Sequence, residues 1–118
     1  MPKLRDIAYT LSMSSIRAGV RAIEEGNIGQ ARVCARRGCR IAIDFWLQVN
    51  PDIDWGPSAI TMLKNLQEDY NIPENVREAA YRLTNRVNQN FETGFEEDPL
   101  KDGETIIEYF LDLKILGE

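Results

Sequence analysis

Apolar residues recur at helical spacing along most of the chain, and no stretch alternates convincingly with period two. The first stretch runs from Pro2–Lys3 to Glu25 and carries an apolar face of Leu4, Ile7/Ala8, Leu11, Ser15, Ala18 and Ala22. Gly26 suits the position just past a helix end. Asn27 suits the cap of the next helix, with Gln30 three residues on completing a capping-box pattern. A second helix runs from Ile28 to about Val49 and stops at Asn50-Pro51, because the residue before a proline is pushed out of the α region. Folding back at Gly26-Asn27 sets Ala22 beside Ala31, Ala18 beside Ala35 and Ser15 beside Gly38. Further out, Leu11 faces Ala42, Ala8 faces Phe45 and Leu4 faces Val49. Small residues meet near the turn and large ones meet small ones beyond it, as a close antiparallel helical hairpin requires.

Asn50 to Pro57 reads as a loop, and Ser58 caps a third helix with Ile60, Leu63, Leu66 and Tyr70 on its apolar side. Asn71-Ile72 breaks it. Pro73 opens a fourth helix at its first position, where the missing N–H costs nothing, with a stripe of Val76, Ala79/Ala80, Leu83, Val87 and Phe91. Glu92 to Gly103 is acidic and turn-rich, which predicts an exposed loop. Asp102 then caps a fifth helix bearing Ile106, Ile107, Phe110, Leu111 and Leu113, closed by Gly117. The expectation is one all-α domain over residues 1–118, an up-and-down bundle of four to five helices around a long antiparallel N-terminal hairpin.

Composition narrows the chemistry. The 118 residues suffice for one hydrophobic core. The longest strongly apolar run, Ile41 to Val49, is about half of what a bilayer span needs. The first residues lack the apolar stretch of a secretory signal, so a cytoplasmic protein without a membrane is expected. The chain contains no histidine, which excludes His-based acid/base chemistry, His-ligated metals and Ser-His or Cys-His pairs. Cys34 and Cys39, five apart, point about 140° away from each other on a helix and are expected as reduced, partly buried thiols. Asp52-Ile-Asp54-Trp-Gly56 resembles a calcium loop only faintly, since the remaining oxygen ligands are missing. No metal and no cofactor is expected.

The net charge of −5 is unevenly placed: residues 1–50 carry eight Lys/Arg against four Asp/Glu, and residues 51–118 six against fifteen. Arg32, Arg36 and Arg40 follow one another every four residues on the second helix, with Arg37 beside them and Arg17 and Arg21 at the same end of the hairpin. Such a cluster suits the phosphates of RNA or a nucleotide, or a partner's acidic surface. The alternative is a solvated face with Arg40 paired to Asp44. Arg82, Arg86 and Asn90 line up similarly at the end of the fourth helix, suited to a phosphate or a base edge. The second half of helix two is apolar on more than one side, which places it at the centre of the bundle or in a homodimer interface through Ile43, Trp46 and Leu47. Trp46 is expected in the core, and Trp55 as a loop anchor.

The stretch AIEEGNIGQARVCARRGCRIAIDFWL, ending one helix and filling the next, resembles the first hairpin of HEPN domains. The later helices, down to IIEYFLDLKIL, fit the same layout over nearly the whole chain. The resemblance implies a bundle of four or five helices that dimerises. Many HEPN proteins are RNases built on an Arg followed, after four to six residues, by a His at the end of the fourth helix. Others are inactive partners of a minimal nucleotidyltransferase, or bind nucleotides. Here Arg86 stands near the motif arginine, but Phe91, Glu92 and Thr93 occupy the positions of the His. There is then no imidazole to activate a ribose hydroxyl. The expected function is a non-catalytic HEPN-like bundle that homodimerises and binds a partner protein or a nucleotide or RNA phosphate through Arg36, Arg37, Arg40, Arg82 and Arg86. A metal-independent RNase using Arg86 and a scaffold without ligand are the alternatives.

Overall fold

The hairpin turns on one left-handed residue. Helix α1 (Leu4–Glu24) ends with Gly26 at φ +79°, while the Gly26 N–H bonds the Ile23 carbonyl and the Asn27 N–H that of Ala22. This is a Schellman closure, which a residue with a Cβ enters only with strain. Asn27 caps α2 (Ile28–Gln48) by accepting from the Gln30 N–H at 2.9 Å. The reciprocal half of the capping box does not form. The Asn27 N–H is already used in the Schellman bond, and the Gln30 amide turns along the helix to Cys34 Sγ.

The computed structural model describes residues 3–85 and 98–111. Helices α3 (Ala59–Leu66), α4 (Glu74–Thr84) and α5 (Pro99–Leu111) complete the bundle, and the described residues contain no strand. The expected all-α bundle around an N-terminal hairpin is what the structure shows. Ser58 and Thr61 form a reciprocal capping box at the head of α3. That helix ends at Leu66, so Tyr70 lies beyond it and is exposed, with Arg77 over its ring. The expected positions Val87, Phe91, Leu113 and Gly117 lie outside the described residues.

Two further expectations are corrected. First, α5 begins several residues earlier than its sequence suggested. Asp98 caps it by accepting from the Leu100 N–H at 2.9 Å, and Pro99 takes the first helical position. Asp102 and Gly103 are therefore interior helical residues, both buried, instead of a cap and a loop end. Second, the buried stripe of α1 is Ala8, Ser12, Ser15, Ile16, Gly19 and Ala22. Leu4, Ile7 and Leu11 are 68%, 41% and 52% exposed, so the Leu4–Val49 and Leu11–Ala42 pairs do not form a buried interface.

The cause of the second correction is α5. The small residues of the hairpin form a trough, and α5 lies in it. Leu100 packs over Gly19, Gly103 lies against Ile16 and Ala35, and Ile107 lies against Gly38. Positions 100, 103 and 107 share one face of α5, so a single helix side fills the trough. The hairpin register near the turn is as expected: Gly38 meets Ser15, and the Ser12 hydroxyl donates to the Gly38 carbonyl at 3.0 Å.

Candidate functional site

The arginines of α2 do not form a solvated stripe. Arg32 is 3% exposed, and its Nη2 donates to three carbonyls at the end of α4: Arg82 at 3.0 Å, Leu83 at 3.2 Å and Asn85 at 2.8 Å. Arg36 Nη1 donates to the Leu83 carbonyl at 3.1 Å. The last carbonyls of a helix have no partner within it and carry the negative end of its dipole, so two guanidinium groups there satisfy both needs. Burial, and then the neighbouring charge of Arg32, pull Arg36 below its ordinary value. Arg82 turns the other way and holds Asp102 on α5, with Nη2 2.8 Å from Oδ1 and Nε 3.0 Å from Oδ2. The junction of α2, α4 and α5 is thus an internal polar lock.

Cys39 lies beside this lock, fully buried, with its thiol 3.8 Å from the Gly103 carbonyl. Burial, followed by the Asp102 carboxylate, pushes the thiol far above its ordinary range, so it stays protonated and is a poor nucleophile. Cys34 is also buried and free.

Of the residues singled out in the sequence, Arg36 and Arg82 are engaged inside the fold. Arg40 forms a loose exposed pair with Asp44 at 3.6 Å, and Arg37 is exposed. Arg86 and Asn90 lie outside the described residues. The chain matches no protein-family model, no curated protein and no solved structure. Ile43 is completely buried within the chain, which leaves it no surface to offer a second copy, while Trp46 and Leu47 are half-buried against the core. Trp46 stacks on buried Trp55 at 5.1 Å, and both meet Phe110 edge-on. Trp55 anchors its loop as expected, its carbonyl accepting from Asn65. The Asp54 carboxylate accepts from the Gly56 N–H, and among the described residues no three acidic or cysteine side chains gather as a metal site.

The surface that sequence reasoning missed is the open end of the hairpin. Leu4, Ile7 and Leu11 of α1, with Ile41 and Phe45 of α2, line one hollow. A second hollow shares Leu4 and Phe45 with it and adds Val49, which is 63% exposed. Periodicity alone assigned Leu4, Ile7 and Leu11 to the core. The rotation of α1 toward α5 leaves them outside.

No helix among the described residues is long and apolar enough to cross a membrane.

Proposed function

We propose that this chain is a non-catalytic, HEPN-like helical interaction module that pairs with a second copy of itself through the open end of the α1–α2 hairpin. The observation that carries this reading is the run of Leu4, Ile7 and Leu11 on one exposed face, continuous with Val49 and the half-buried Ile41 and Phe45. Contiguous aliphatic surface of this kind is a mark of an interface in a water-soluble fold. Charge placement supports a second copy as the occupant. Lys3 and Arg5 border one end of the face and Asp44 the other, so a two-fold antiparallel arrangement brings the basic end of each copy to the acidic end of its mate. The resemblance to HEPN bundles, which commonly pair, points the same way.

Light scattering coupled to gel filtration tests the proposal. At roughly 100 µM chain, well above the micromolar Kd of a weak specific dimer, the mass should be twice that of one chain. Ile7→Glu and Leu11→Glu should each return it to a single chain with an unchanged circular dichroism spectrum. A wild-type protein that runs as one chain at that concentration overturns the reading.

A further inference from the structure

Next to the second hollow, with which it shares Trp46 and Phe110, the second half of α2, the start of α4 and the last turns of α5 enclose a cleft of about 570 Å³. Its walls include the rings of Trp46, Tyr109 and Phe110 and the side chain of Val76, and among the described residues its only charged lining residue is Glu108. The rings brace one another. Trp46 is backed by Trp55 at 5.1 Å, Phe110 meets Trp46 at 5.2 Å, and Tyr109 meets Phe110 at 5.0 Å nearly at right angles. A wall held by such packing is pre-organised and loses little freedom when a ligand arrives. The volume falls in the range of small-molecule sites.

The charge of the cleft has one sign. Among the described residues no lysine or arginine lines it, and Glu108 has no ion pair and no hydrogen bond from its side chain. One turn earlier on α5, Glu104 is pushed above its ordinary value by burial and then by the charges of Glu108 and Asp98. An anion would be repelled there, and a neutral apolar molecule would leave the carboxylate unused.

We propose that this cleft binds a small organic cation, an alkyl- or quaternary-ammonium group held against the aromatic walls with Glu108 as its counter-charge. Aromatic faces attract such cations through their quadrupole, and a carboxylate in a half-enclosed site adds to this at short range.

Choline and its uncharged isostere dimethylbutanol, titrated against the intrinsic tryptophan fluorescence of the full chain, separate charge recognition from apolar filling. Choline should give a saturable change, and dimethylbutanol should bind at least about tenfold more weakly. Glu108→Gln, a substitution at an exposed position, should weaken choline about tenfold and leave dimethylbutanol unchanged; Tyr109→Leu should weaken choline as well. Ile7→Glu should keep choline binding intact, because Ile7 does not line the cleft, so failure of the dimer and failure of this site are read separately. Equal binding of choline and dimethylbutanol, an unaltered affinity in Glu108→Gln, or no saturable response to choline up to about 10 mM overturns the proposal.

Discussion

Arg82 grips Asp102 with two nitrogens across twenty residues of chain, tying the last turn of α4 to the first turns of α5. The carboxylate is 8% exposed and the guanidinium 30%. Removing only the cation strands a buried carboxylate, which costs far more than the pair contributes. Arg82→Met should therefore lower the unfolding free energy by roughly 2–4 kcal/mol in urea titration, less than a fully buried pair because Arg82 is partly solvated. The double variant Arg82→Met/Asp102→Leu should recover at least half of that loss. A double variant as unstable as the single one would show that the pair is not the cause.

Arg32 and Arg37 lie five residues apart on α2 and should behave as opposites. Arg32→Met leaves the carbonyls of Arg82, Leu83 and Asn85 without the nitrogen that now serves all three, and should cost about 2–4 kcal/mol. Lysine does not replace it, since a flexible ammonium lacks the planar reach of guanidinium. Arg37→Ala, on the exposed side, should fall within about 0.5 kcal/mol of the wild type. Similar losses in both variants would contradict the placement of Arg32 inside the lock.

The same chemical change should also have opposite signs at two glycines of α2. A Cβ at residue 38 would come within 3.1 Å of the Ser12 carbonyl and 3.2 Å of Ile107, and the first of these is backbone that cannot turn away. Gly38→Ala should therefore destabilise by roughly 1–3 kcal/mol despite the better helix propensity of alanine. At Gly29 the nearest atom is Asn27 Oδ1 at 3.8 Å, so Gly29→Ala should stabilise by about 0.5 kcal/mol. Thermal or urea unfolding of the two variants decides it; a stabilised Gly38→Ala would mean that α5 does not lie in the trough as described.

Local signals carried the fold a long way. The Gly26-Asn27 turn, the Ser58 cap and the register Ser15–Gly38 are short-range consequences of backbone preference and side-chain size. The start of α5 was legible too, in Asp98-Pro99, but Asp102-Gly103 offers a competing cap-like pair four residues on. Only the tertiary trough explains why glycine belongs inside that helix. The arginines show the limit more sharply. Their spacing of four residues is the same whether the face is wet or dry, and nothing local to α2 announces that the carbonyls of α4, some fifty residues later, will be brought against Arg32. The aromatic cleft was hidden for the same reason: Trp46 and Tyr109 stand more than sixty residues apart, and their chemistry arises from helix packing.

Glu104 gives the fold a dependence on pH whose direction follows from its surroundings. Burial, Glu108 and Asp98 all disfavour its ionised form, so its value in the folded chain lies above the ordinary one. The protonated form is thus the one the fold prefers. Its contribution is complete below the ordinary carboxylate range and is lost as pH rises through the raised value. Glu104→Gln, which resembles the protonated acid at every pH, should be more stable than the wild type at pH 7, and the difference should shrink towards zero as the pH falls below about 4. Urea midpoints of the two proteins across that range measure it. Glu108→Gln removes one of the charges acting on Glu104 and should narrow the same gap part of the way. A difference that stays constant with pH would show that Glu104 is not held above its ordinary value by burial and its acidic neighbours.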